Sequence, residues 1–386
     1  MFGRGRVEKS SGRSGFTVSL LTASATFGLF LLAALIAVWA IYYAPGPSAR
    51  QGDKTVVTLA SGSGVSAIAA RMKAAGVIRS TDLFRAAATL TGADRRLRAG
   101  EYEVPSGTSL AGVLNLLVEG RVVRHFVTLP EGWSSLQAVD ILNKEPTLTG
   151  TVAQTPEEGS LWPDTYEVSR GDTRQSVIDR MQRAANENLR LLWSQRSPAT
   201  VARSLEEAVV LASIVEKETA LAAERPRVAA VFSNRLRAGM RLESDPTIVY
   251  GVTKGRPLGR GIRRSELLAP TPWNTYQING LPPTPIANPG KEAVKAVLNP
   301  PADPALFFVA DGSGGHAFAL TYDEHLQNVA RWRQIERQKA GLPPEAAAPV
   351  TPGTSAAPMT TEPAAAPIAG GQATITLPAG ATQGPR

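Results

Sequence analysis

The chain has 386 residues, 43% of them hydrophobic and 19% charged, enough for two domains with cores of their own and some added segments. It has no cysteine and three histidines (His125, His316 and His325), so disulfides and thiolate metal sites are excluded and neither a metal nor a cofactor is expected. A net charge of +8 suits an anionic partner, yet no basic stripe interleaved with aromatics and no nucleic-acid motif stands out, so nucleic acid is not an expected partner.

Residues 1–15 read as a basic tail, with Arg4, Arg6, Lys9 and Arg13 before an apolar run over residues 16–43. The run reaches the roughly 20 apolar residues that a bilayer crossing takes. Its basic flank predicts a cytoplasmic amino terminus, and Trp39, Tyr42 and Tyr43 suit the outer interface. The run is longer than a signal-peptide core and lacks a small-x-small site after it, which favours an uncleaved, single-pass anchor.

Residues 52–150 alternate short β-rich runs with amphipathic helices. A strand is predicted over Thr55–Leu59 and a helix over Gly64–Ala74, with Val65, Ile68, Ala69 and Met72 on one face and Gly76 as its stop. Ser80 to Asp82 caps a second helix to Leu90, and Tyr102–Val104 forms another strand. A helix over Ser109–Val118, a strand over Val122–Leu129 and a helix over Ser134–Leu142 follow.

A second domain is predicted over residues 157–340. Gly159 to Tyr166 is turn-rich, and helices are expected at Arg174–Leu192 and at Leu205–Ala220, the latter opened by a Ser204–Glu207 capping box. That helix ends in Glu216, Lys217 and Glu218. Glu218 follows Leu211, Ile214 and Val215 on an aliphatic stripe, whereas Glu216 lies about 200° around the axis, so the two carboxylates cannot flank one bond. Burial raises a carboxyl pKa, and Glu218 has the surroundings for it. On pattern alone, a solvated helix end and an active site both stay open.

Pro226 opens the next helix and Gly239 closes it. Asp245-Pro246 is read as a turn, and the proline-rich stretch from Gly280 to Gly290 as a rigid connection. Asp245, Asn274 and Asn288 are candidate ligand contacts or, equally, turn residues that bond their own backbone. A helix over Lys291–Leu298, a hairpin joining Ala305–Ala310 to His316–Ala319 and a helix over Thr321–Lys339 complete the domain. Residues 341–386 are an Ala/Pro-rich tail expected to be disordered.

Several motifs in order carry a resemblance. They are Ala212 to Ala220; Glu224-Arg225 with Val231 to Leu236; Asp245-Pro246-Thr247 with Tyr250; Asn274-Thr275-Tyr276; Gly280 to Pro283; and Phe308 to Ala310 through Gly315-His316. Together they resemble the YceG-like (MltG) family of membrane-anchored endolytic murein transglycosylases, densely from Glu157 onward. The resemblance implies an α+β protein with one N-terminal transmembrane helix, a small LysM-like α/β subdomain and an α+β catalytic domain. It places the chain in the bacterial inner membrane with the catalytic domain outside the cytoplasm.

The implied reaction cuts MurNAc-GlcNAc bonds of nascent peptidoglycan and leaves 1,6-anhydro ends, with one glutamate as acid and then base. That position is Glu218 here. Glu216, Asn234, Ser244, Asp245, Thr247, Tyr250, Asn274, Tyr276, Asn288 and His316 are candidate substrate-binding residues, and the implied partners are glycan strands, the membrane and cell-wall synthases such as penicillin-binding proteins. The chain departs from the family's commoner residues at Glu243, Thr284 and Thr271-Pro272-Trp273. The alternatives are a non-catalytic scaffold that recruits synthases and a muramidase that adds water.

Overall fold

The computed structural model describes residues 13–341, with side chains from residue 26 onward. The basic tail up to residue 12 and the Ala/Pro-rich tail beyond Gly341 lie outside the described residues. The chain divides into two compact units between His125 and Phe126.

The first unit opens with α1 (Arg13–Tyr43), whose stretch Thr26–Tyr43 has a mean hydropathy of 2.0 and is long and apolar enough to cross a membrane. Then come β1 (Lys54–Leu59), α2 (Val65–Ala74), α3 (Thr81–Leu90), β2 (Gly100–Pro105) and α4 (Leu110–Glu119). The expected β-α-α-β order is present, with β1 and β2 antiparallel and Val57 opposite Tyr102. Alternation turns Val57 and Leu59 inward, where they meet Ile68, Ala69 and Met72 from α2 and Phe84 from α3. Ser80 caps α3 by accepting from the Leu83 amide, and the buried Tyr102 hydroxyl donates to the Arg98 carbonyl at 2.7 Å.

The division falls one residue into β3 (His125–Thr128), and the second unit goes on with α5 (Ser135–Lys144), β4 (Thr165–Val168), α6 (Arg174–Ser194), α7 (Leu205–Glu218) and α8 (Arg225–Arg237). It continues through α9 (Asp245–Thr253), α10 (Arg264–Leu267), α11 (Lys291–Leu298), β5 (Phe307–Ala310), β6 (His316–Ala319) and α12 (Tyr322–Lys339). Its strands form two-stranded ribbons, β3 with β4 and β5 with β6. Residues 126–150, read from sequence with the first domain, pack here. Val127, Leu129, Ala138 and Leu142 share a core with Leu161, Val168, Ile178 and Met181. The strand expected over Val122–Leu129 shrinks to β3, and its partner β4 emerges from the segment read as turns, held by a Thr128–Thr165 hydroxyl contact of 2.9 Å.

The larger core surrounds α7, in which every residue from Ala208 to Glu216 is buried. A helix apolar all round must sit at the centre of other helices, and α6, α8 and α11 supply that surround. Two boundaries differ from the sequence reading. α7 stops at Glu218, with Thr219 already extended, and Asp245-Pro246 starts a helix, because Ser244 is extended and proline is harmless in a first turn.

Arg174 at the start of α6 ties the smaller core together. Its guanidinium donates to the carbonyls of Leu142, Glu145, Leu148 and Gly150. Arg174→Ala leaves those acceptors unmatched, and urea denaturation is expected to show a loss of about 2–4 kcal/mol. A midpoint unchanged from wild type contradicts that role.

Candidate active site

The two carboxylates at the end of α7 meet opposite environments. Glu216 is buried and fully engaged. Its Oε1 lies 2.9 Å from the Arg225 guanidinium, and its Oε2 accepts the Gly290 amide at 2.9 Å. Burial pushes its pKa up against the pull of the Gly290 amide and Arg225. Arg225 also reaches Glu131 at 3.4 Å, so Glu216 anchors three chain segments. Gly132 allows the close approach, since its φ of +72° puts it in the left-handed region and an added Cβ would press on Glu216 at 3.3 Å. Lys217 points to the same segment and donates to the Gly132 carbonyl.

Glu218 is half-buried and, among the described residues, has no cationic partner in contact. Its Oε2 accepts one hydrogen bond, from the Ser244 hydroxyl at 2.9 Å. Burial raises its pKa to about 7, the nearby Asp245 adds to the rise, and Ser244 and the more distant Arg235 oppose it. Such a carboxyl group holds a proton at neutral pH and gives it up readily, as a general acid requires.

The wall opposite Glu218 is the Ser244 turn. Ser244, Thr247 and Thr275 are completely buried and knotted together. The Thr275 hydroxyl accepts the Ser244 amide at 2.9 Å, Thr247 donates to the Ser244 carbonyl at 2.6 Å, and the two threonine hydroxyls meet at 2.9 Å. Beside them Asp245 accepts from the Tyr276 hydroxyl at 2.8 Å, and burial raises the pKa of both groups. Spacing along α7 offered Glu218 no second carboxylate; α9 supplies one from another element.

Arg235 on α8 holds this wall from behind. It donates to the carbonyls of Leu306, Arg241 and Leu242 and pairs with Glu243 at 3.2 Å. The turn needs that support, because Glu243 sits at φ +53°, an uncommon conformation for a side-chain-bearing residue. Arg235 and Thr275 lie within motifs quoted from the sequence but, like Glu158, are not among its candidate site residues. Arg235 reads as an ordinary last-turn cation, and Glu158, whose pKa burial raises, reads as one of a pair of loop glutamates.

The other candidates fall into two groups. Asn234, Asn274 and Asn288 spend their amides on backbone. Asn234 donates to Asp303 and Ala305; Asn274 donates to Leu267 and Ala269; Asn288 donates to Trp133 and accepts from the Leu161 amide. Tyr250 and His316 present side chains. Tyr250 packs against Trp273 with ring centroids 5.9 Å apart, and Trp273 is fixed by donating to Thr284 at 3.0 Å. The His316 Nδ1 lies 2.7 Å from Glu224, which also accepts from Thr219, the residue after Glu218. Burial raises the Glu224 pKa, but the His316 bonds outweigh it and leave the group below its ordinary value.

Comparison with known proteins places these residues in one family. Residues 57–331 match the YceG-like family. The chain is 30% identical to an endolytic murein transglycosylase of Bacillus subtilis over 326 residues, covering 76% of this chain and 89% of that protein. It is 28% identical to an endolytic murein transglycosylase of Streptococcus pneumoniae, of which it spans 63%. A crystal structure of a yceG-like protein from Listeria monocytogenes is similar over 71% of this chain and 98% of that one, at 26% identity and a TM-score of 0.47.

The raised pKa of Glu218 has a stability consequence. Between about pH 4.5 and 7 the folded chain keeps a proton that the unfolded chain has released, so stability falls as pH rises through that window, by up to about 3 kcal/mol. Glu218→Gln is expected to be as stable as wild type near pH 4 and more stable at pH 8 in urea titrations; parallel pH profiles contradict this. Ser244→Ala removes a bond to the carboxylate, so Glu218, followed by carbon-13 NMR, titrates at higher pH than in wild type.

Proposed function

The chain belongs to the YceG-like family, and from that premise we propose that it is an endolytic lytic transglycosylase of peptidoglycan with Glu218 as its acid and base. The observation that carries this reading is the pairing of unequal carboxylates at one helix end. Glu216 is neutralised and structural, and Glu218 is half-open and titrates at about 7. An acid that is protonated near neutrality and loses its proton easily matches a leaving glycosidic oxygen.

Glu218 donates its proton to the bridging oxygen between N-acetylmuramic acid and N-acetylglucosamine as that bond breaks. The resulting carboxylate then takes the proton from the C6 hydroxyl of the muramyl sugar while that oxygen closes on C1, giving the 1,6-anhydro end. The carboxylate is thereby reprotonated for the next cut, with no water consumed. The 2-acetamido group of the substrate supports the developing positive charge at C1, and the Ser244 hydroxyl stabilises the carboxylate between the two steps. The Tyr250–Trp273 ledge offers an aromatic surface against which a sugar ring packs.

In this reading α1 is an uncleaved anchor in the bacterial inner membrane with a cytoplasmic amino terminus, and the second unit works on nascent strands outside the cytoplasm. The cut limits strand length, and cell-wall synthases are its functional partners. The first unit, with its β-α-α-β order, is the LysM-like module of the reading.

The proximity of Asp245 to Glu218 favours one second reading, a muramidase in which Asp245 directs water to C1. Mass spectrometry of products from purified glycan separates the two, since transglycosylation gives anhydro ends and hydrolysis gives reducing ends. Glu218→Gln is expected to lower product formation at least about 100-fold with the fold retained; full activity in that variant overturns the assignment. The wild-type rate is expected to fall as pH rises above about 7, where Glu218 loses its proton. A rate that keeps rising to pH 9 contradicts an acid of that kind.

A further inference from the structure

The loop joining α9 to α10, with the first residue of α10, carries five cations in eleven residues, Lys254, Arg256, Arg260, Arg263 and Arg264, all exposed. Two of them meet acidic groups. Arg260 pairs with Glu266, whose carboxylate also accepts the Arg263 backbone amide, and Arg256 lies 3.9 Å from Asp140. Among the described residues Lys254, Arg263 and Arg264 have no carboxylate within ion-pair distance.

The loop is fastened at both ends to the wall facing Glu218. At its start, α9 runs from Asp245 to Thr253, a span on the order of 13 Å. Lys254 follows at φ +52°, and the next residue, Gly255, accepts the Ser134 hydroxyl at 2.8 Å. At its end, the Asn274 amide holds the carbonyls of Leu267 and Ala269, two residues from the Tyr276 that bonds Asp245. The Lys254 ammonium sits 3.0 Å from the centre of the Trp273 ring, which orders it without neutralising it. The exposed cations fall in two places along the stretch, Lys254 at its start and the Arg263-Arg264 pair at its end, which suits more than one carboxylate on an extended ligand better than a single phosphate.

We propose that residues 254–264 form a subsite for the carboxylate-bearing peptide side chains of the glycan strand, beside the ledge of Tyr250 and Trp273. This rests on the peptidoglycan reading above and extends it. A strand lying across Glu218 presents sugars to the ledge and its anionic peptides to the loop, so that the loop selects strands that still carry peptides.

The test uses the full chain in detergent micelles and two substrates, uncross-linked strands bearing peptides with free carboxylates and the same strands stripped of peptide. The variant R263E/R264E alters exposed side chains and leaves the Glu218, Ser244 and Asp245 contacts in place. KM for peptide-bearing strands is expected to rise roughly three- to tenfold, with kcat and the KM for stripped strands unchanged. An unchanged KM, or an equal rise on both substrates, overturns the proposal. If wild type cuts neither substrate, the catalytic reading fails, and co-sedimentation with the same two strands decides the subsite alone: the variant must lose binding to peptide-bearing strands only. Exposed Val252 and Leu268 flank the loop, so a third arm uses phosphatidylglycerol vesicles. Lost vesicle binding with an unchanged KM for strands assigns the loop to lipid and overturns the proposal.

Discussion

Everything in the second unit turns on how a helix buried on every side can end in charge. α7 supplies the middle of the larger core, and its last turn brings two carboxylates and an ammonium to the edge of that core. Burying a carboxylate without compensation costs several kcal/mol, so each must be paired, solvated or protonated. Glu216 is paired, by Arg225 and the Gly290 amide. Glu218 receives one hydroxyl and therefore leans toward protonation. Two residues of the same type, two positions apart, are made into an ion-paired carboxylate and one held toward its protonated form by what neighbouring segments bring to them.

Those neighbouring segments are loops, and their rigidity comes from side chains that satisfy backbone. The half-buried Asn234 and the buried Asn274 and Asn288 act in this way, as does Arg235 behind the Glu243 turn. The Ser244, Thr247 and Thr275 hydroxyls close a small network in which each buried polar group has a partner, the condition under which such networks rigidify a site. The proline-rich connection needs no sheet pairing because Asn288 and the Ser213 hydroxyl, which accepts the Ile286 amide at 3.0 Å, pin it directly to the core.

Much of this was legible in sequence where the information is local. The face of α2, the ends of α8, the Ser80 cap, the β5–β6 hairpin and the divergence of Glu216 from Glu218 follow from periodicity and from caps. The Ser204 cap formed, but Glu207 reaches the Arg203 amide instead of closing a box. What stayed hidden depends on contacts between elements distant in sequence. Asp245 comes beside Glu218 only because α9 folds back on α7, and Tyr276 finds Asp245 across 31 positions. β4 is four residues long, too short for alternation to distinguish it from a turn. The basic loop was diluted in a chain-wide charge count, although its five cations stand within eleven positions.

α9 also acts as a ruler. One end bears the residue beside the proposed acid, and the other begins the basic loop, so its nine residues set both the distance and the angle between the two. Adding one residue to a helix advances its far end by about 1.5 Å and turns it by about 100°. An insertion within α9 would therefore swing the loop off the wall, whereas one among Gly255, Gly259 and Gly261 would only lengthen it. The length of the loop is therefore free to change without moving its attachment, while the number of residues in α9 is not.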